Sequence, residues 1–230
     1  MPDHRRFPNR TEAGVLLGQE LARRINPDDH PIVLALARGG VPVGYEIARA
    51  LDAPLDVFIV RKLGVPGHEE LAMGAIASGG VRVMNDEVLG YLSGLSQNHI
   101  DAVAAREQIE LERREKAYRG DRPPLQVAGR TVIIVDDGLA TGSTMRAAVR
   151  AVRRMNPRAI IVAVPVAAPS TCDEFRAEVD DIVCMLTPEP FTAVGLWYED
   201  FTQTTDEEVH ALLAAANRGE TTAAAARKAW

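Results

Sequence analysis

Two adjacent carboxylates, Asp136 and Asp137, end an apolar β-branched run at 132–135 and lead into Gly138-Leu139-Ala140-Thr141-Gly142-Ser143-Thr144. Paired carboxylates accept hydrogen bonds from two neighbouring hydroxyls, as a ribose diol presents them, and charge-assisted bonds of this kind contribute about 1.5–3 kcal/mol each. A helix that starts on glycine and small hydroxyl residues leaves backbone N–H groups free, which suits a phosphate monoester. Diol on the carboxylates and phosphate on the amides describe a grip on ribose 5-phosphate.

Such a grip needs a strand to present it. The run at 132–135 is short, continuous and β-branched, the pattern of a strand buried on both faces of a parallel sheet. The carboxyl ends of such strands are where open α/β sheets bind ligands. Beyond the loop Met145, Ala148, Val149 and Val152 recur at helical spacing, with Arg146, Arg150, Arg153 and Arg154 opposite. Further strands are expected at 32–37, 56–60, 159–166 and 181–186, and helices at 12–25, 142–155, 170–178 and 206–217, with another that the turn at 38–42 leads into, Pro42 in its first turn, and that ends near Leu51. This alternation predicts an α/β fold, one domain over 10–218, with 219–230 as a disordered tail. Residues 64–130 interrupt it with a hairpin around Ser78-Gly79-Gly80 and a charged helix at 96–119 whose apolar stripe is Ile100, Val103, Leu111 and Tyr118.

The order of apolar strand, two acidic residues, a short small-residue stretch, then Thr-Gly and a hydroxyl pair resembles the fingerprint of the type I phosphoribosyltransferases. The resemblance implies a parallel-sheet core flanked by helices, with an inserted hood region. It also implies Mg²⁺-dependent transfer of ribose 5-phosphate between 5-phosphoribosyl-1-pyrophosphate (PRPP) and a nitrogen acceptor. On this footing Asp136, Asp137, Gly138, Ala140, Thr141, Gly142, Ser143 and Thr144 bind substrate, and Asp137 is also catalytic. Mg²⁺ enters with PRPP near Asp136 and Asp137, without a dedicated protein site.

Arg38-Gly39-Gly40, after the first strand, corresponds to the family's pyrophosphate loop, where glycine lets the backbone approach closely. Arg61-Lys62 is similar to the step that starts the mobile hood loop of purine enzymes, and supplies positive charge that the chain otherwise lacks. Glu70, within the hood, is the candidate for proton transfer to or from the base, and hood closure would shield an oxocarbenium-like ribose from water. In a C-terminal hood segment at 187–205, Phe191 is the candidate ring for stacking on the base, whereas Phe201 is expected to pack the final helix on the sheet. Ala140 stands where hypoxanthine-guanine enzymes carry Asp, so the expected acceptor is a planar base other than those two. A non-catalytic PRPP- or nucleotide-binding regulatory protein would use the same grip.

Composition narrows the alternatives. A net charge of −6 over 230 residues argues against nucleic acid or an anionic membrane as partner. Arg113, Arg114, Lys116, Arg119 and Arg122 alternate with Glu107, Glu110, Glu112 and Glu115, which reads as a solvated, ion-paired helix face. No G-x-x-x-x-G-K-[ST] accompanies the acidic pair, against a P-loop protein; taken alone, the pair also suits a helix cap in an unrelated α/β protein. Cys172 and Cys184 read as buried free thiols, and the histidines show no zinc spacing. With no apolar run of transmembrane length and no signal-like start, the chain is expected to be cytoplasmic, with PRPP and a small acceptor as partners and self-association left open.

Overall fold

Alternate residues of a strand point to opposite faces, so a strand that is apolar throughout must be covered twice. The computed structural model describes residues 6–91, 96–124 and 126–227. In chain order it contains α1 (Arg10–Arg24), β1 (Ile32–Leu36), α2 (Gly40–Leu51), β2 (Leu55–Phe58), β3 (Val60–Val65), β4 (His68–Ala77), β5 (Val81–Met84) and α3 (Asp86–Tyr91). There follow α4 (Gln97–Arg119), β6 (Thr131–Val135), α5 (Ser143–Arg153), β7 (Ala159–Val166), α6 (Pro169–Phe175), β8 (Asp181–Leu186) and α7 (Asp206–Arg227).

Five strands form a parallel sheet in the order β2-β1-β6-β7-β8. Val33, Ala35, Ile133, Val135, Ala163 and Val183 share one apolar cluster with α1, α2, α4 and α7. Ile32, Leu34, Val132, Ile134, Val162 and Val164 share the other with α5 and α6. Each fully buried aliphatic side chain contributes about 1.5–3 kcal/mol, so the sheet is clamped from both sides. The expected α/β class and all five core strands are present.

From β1 the chain moves outward to β2, whereas from β6 it moves the opposite way to β7. The sheet order therefore reverses between β1 and β6, whose last pairing is Ala35 with Val135. Doubly wound sheets bind ligands at the carboxyl ends of strands beside such a reversal.

The insertion holds a three-stranded antiparallel sheet, β3-β4-β5, followed by α3 and α4. Arg61 and Lys62 lie in strand β3 rather than at the start of a mobile loop, because Leu63 and Val65 pack with Met73 and Ile76 of β4 in the main core. The expected stripe of α4 is buried, but the face expected to be solvated is so only in part. Glu107 and Arg119 are buried; Arg119 pairs with Asp56 of β2 at 3.0 Å and Glu107 receives Arg61 at 2.9 Å.

Two other expectations change. α7 runs to Arg227 instead of giving way to a disordered tail at 219, in keeping with the high helix propensity of the alanine run at 223–226. Cys172 and Cys184 are not free thiols: α6 folds back beside β8, bringing their Cα atoms to 6.9 Å, and the two are joined in a disulfide. Among the described residues no helix is long and apolar enough to cross a membrane.

Candidate functional site

The loop after β1 and the loop after β6 meet at the reversal point. Gly40 opens α2 against the end of β6: a Cβ there would lie 2.6 Å from the Val135 carbonyl oxygen and 3.0 Å from the Asp136 Cα. A Cβ on Gly39 would run into the Asp137 carboxylate. The glycines thus permit the approach of two backbones that the expected pyrophosphate and diol contacts both need. Since the atoms facing Gly40 are main chain, they cannot swing aside. Gly40→Ala is expected to cost about 1–3 kcal/mol of stability, the usual range for overpacking. Urea unfolding reads this directly, and an unchanged midpoint would rule out so close an approach.

Asp136 accepts the Asp137 N–H at 2.9 Å. Burial pushes the Asp136 carboxyl well above the usual carboxylate range, and the adjacent Asp137 charge pushes it the same way. Burial also raises Asp137, but the Arg10 guanidinium opposes it. Arg10 Nε donates to Asp137 Oδ2 at 2.8 Å, and a second guanidinium nitrogen lies 2.8 Å from the same oxygen. The Tyr198 hydroxyl donates to the Asp137 carbonyl at 2.6 Å.

Arg10 was not foreseen. It begins α1, whose Asn9 cap accepts the Glu12 N–H, and it reaches a carboxylate 127 residues away. Its guanidinium lies 3.9 Å from the centroid of the Phe201 ring and donates to the Thr202 carbonyl at 2.8 Å. Phe201 therefore covers Arg10 and does not pack the final helix on the sheet; it is 36% exposed. Backbone bonds from Phe7 to Trp197 and from Glu199 to Phe7 bring the two chain segments together.

The loop at 138–144 is held from the protein side through its carbonyls. Thr171 donates to the Ala140 carbonyl at 2.6 Å and Arg146 to the Thr141 carbonyl at 2.9 Å. Gly138 sits against Val194, so the C-terminal segment closes on the loop. Gly142, at φ +72°, caps α5 with no side-chain hydrogen bond, while Thr141, Ser143 and Thr144 are exposed. The first amides of α5 have no side-chain acceptor there, a setting for an anion.

Between α5 and the hood sheet lies a cavity of about 180 Å³ lined by Lys62, Asn85, Ser143, Arg146 and Arg150 among others. Arg146 is compensated by Glu174 and Glu178, but Lys62 and Arg150 form no ion pair among the described residues. Lys62 thus supplies the expected local charge, and Arg150 adds to it. The arginine face opposite the apolar stripe of α5 was legible in the sequence, but its proximity to the hood was not.

The other expected residues are engaged elsewhere or stand apart from the carboxylate pair. Arg61 is occupied by Glu107, because α4 packs over β3 and places that carboxylate beside it, so its charge is already matched. Arg38 lies 3.4 Å from Asp206, which also accepts the Tyr118 hydroxyl at 2.7 Å. Glu70 belongs to β4 by its backbone, and its side chain lies outside the described residues. Phe191 is half-buried against the cluster of Phe7, Ala13, Val166 and Tyr198. Ala140 is exposed.

Comparison with known proteins agrees with this arrangement. Two Mycobacterium tuberculosis proteins that carry a provisional phosphoribosyl transferase name, Rv0571c (strain ATCC 25618 / H37Rv) and MT0597 (strain CDC 1551 / Oshkosh), are each 45% identical over 212 residues. The match covers 92% of this chain and 47% of each relative, so the chain spans about half the length of these proteins. The solved structure of TT1426 from Thermus thermophilus is 42% identical, with a TM-score of 0.81, over 91% of this chain and 98% of that one. Residues 9–196 match the phosphoribosyl transferase domain, a stretch that runs from the cap of α1 through both loops of the reversal point to the segment closing on Gly138. The chain belongs to the phosphoribosyl transferase domain family.

Proposed function

We propose that the chain binds PRPP across the β1–β6 edge and transfers its ribose 5-phosphate to a planar nitrogen base, releasing pyrophosphate. One observation carries this reading: the contact of Gly39 and Gly40 with Asp136 and Asp137. It sets a loop suited to pyrophosphate beside a carboxylate pair suited to the diol, with the N-terminus of α5 beyond them for the 5′-phosphate. Membership of the family supports the same assignment. In the transfer the bond from the anomeric carbon to pyrophosphate breaks, the acceptor nitrogen forms the new bond, and the acceptor proton leaves to a base, the role proposed for Glu70.

Asp136 and Asp137 fit a magnesium ion, since Mg²⁺ takes hard oxygen donors and is commonly held by one or two carboxylates together with substrate phosphates. When bound it would neutralise charge on the departing pyrophosphate. Ala140 offers no carboxylate to a 6-oxopurine, which supports an acceptor other than hypoxanthine or guanine.

A regulatory PRPP- or nucleotide-binding role is the second reading. It is favoured by the pairing of Arg61 with Glu107, which builds part of the hood as fixed structure. Calorimetry with PRPP and Mg²⁺, followed by a pyrophosphate-release screen across nucleobases, separates the two. Heat of binding with release is expected. Binding without release across the bases would favour the regulatory role, and absence of PRPP binding would end both.

A further inference from the structure

We infer that Arg10 is a positioning residue for the diol-binding edge, holding Asp137 by one carboxylate oxygen so that the other is left to the ligand. The inference rests on the PRPP reading above. Both guanidinium contacts, each at 2.8 Å, go to Oδ2, and Oδ1 accepts no side-chain hydrogen bond among the described residues. A bidentate fork, the common arrangement for arginine and carboxylate, would occupy both oxygens. Here the third arginine contact goes elsewhere, to the Thr202 carbonyl, and the Phe201 ring supports the guanidinium plane. The side chains of Arg10 and Asp137 are 11% and 16% exposed, so the pair is shielded from salt and solvent.

Arginine suits this role better than lysine. Its planar fork can hold one oxygen with two nitrogens while stacking on a ring, whereas an ammonium is a point charge on a flexible stem. Asp137 is also fixed from its backbone by Tyr198, so the carboxylate is located by α1 and by the C-terminal segment together. The titratable and charged groups facing it are Arg10, Asp136 and Tyr198, while Asp200 faces Arg10. With Oδ2 held by Arg10, Oδ1 is left as an acceptor for a hydroxyl. A bond that only fastened α1 to the sheet would have no such consequence for ligand binding.

The test compares wild type with Arg10→Gln, Arg10→Lys and Phe201→Leu. Calorimetry with PRPP and Mg²⁺ is paired with calorimetry with pyrophosphate and Mg²⁺, which offers no diol. Arg10→Gln is expected to weaken PRPP binding by about 10–100-fold, in line with loss of a hydrogen-bonded charge, and to leave pyrophosphate binding unchanged. Arg10→Lys should restore PRPP affinity only in part, and Phe201→Leu should keep the fold with a smaller loss of affinity. If Arg10→Gln does not fold, the same two readouts on Arg10→Lys and Phe201→Leu decide. PRPP binding within twofold of wild type in the folded variants, or an equal loss for pyrophosphate, would overturn the inference and leave the PRPP reading intact. If wild-type protein binds no PRPP, the PRPP reading falls, and the inference falls with it.

Discussion

Asp136→Asn and Asp137→Asn are each expected to lower PRPP-dependent pyrophosphate release by about 10²–10³-fold, equivalent to about 2.7–4 kcal/mol of transition-state stabilisation. An amide keeps the shape of the side chain but surrenders the charge and one acceptor, so the loss should fall on ligand contacts more than on folding. The two variants should differ in pH response. Burial and the neighbouring Asp137 raise the Asp136 carboxyl well above its usual range, so in wild type activity should climb as pH rises through that ionisation. Asp136→Asn should lack this limb, whereas Asp137→Asn, by removing the repelling neighbour, should move it to lower pH. Steady-state rates across the acid range test both claims. Turnover near wild type in both variants would remove the pair from the chemistry.

The parts of this site that lie close together in the chain were legible, and those that meet only in space were not. The run at 132–135 announces a doubly covered strand because every residue is apolar and most are β-branched, and the loop that follows announces an anion site through its small residues. The β-α alternation then places Gly39-Gly40 at the same sheet edge. Nothing in residues 6–12 points to Asp137, because the contact depends on how α1 and the segment around Tyr198 lie across the carboxyl ends of the strands. The hood was misread for a different reason. Arg61-Lys62 resembles the start of a loop, yet both residues pair with β4 as part of β3, with register shifts on either side of Gly64. The charged face of α4 misled in the same way, since i,i+4 alternation of Glu and Arg marks a solvated face only where no second element covers it. Glu107 and Arg119 are covered, and Glu110 with Arg113 and Arg114 are the ones that pair at the surface.

That covered pair leads to the largest expected loss of stability. Arg119→Met should destabilise the fold by about 3–5 kcal/mol, because it removes a charged partner of a buried carboxylate. Arg119 Nε donates to Asp56 at 3.0 Å, another nitrogen reaches the Val57 carbonyl at 3.2 Å, and the side chains of both Arg119 and Asp56 are 8% exposed. Met fills much of the volume of the arginine stem, which confines the effect mainly to the polar head. The cause can be isolated by adding Asp56→Asn. The amide stays neutral and keeps an oxygen for the Val57 N–H, which Asp56 accepts at 2.8 Å, so the double variant should recover most of the loss. Urea unfolding of the two single variants and the double gives the coupling directly. A single Arg119→Met variant within about 1 kcal/mol of wild type would mean that water reaches this pair, since only exposed ion pairs are worth so little. α4 would then be held to the rest of the chain chiefly by its apolar stripe and by Glu107 on Arg61, and the hood would owe its position to packing instead of to buried charge.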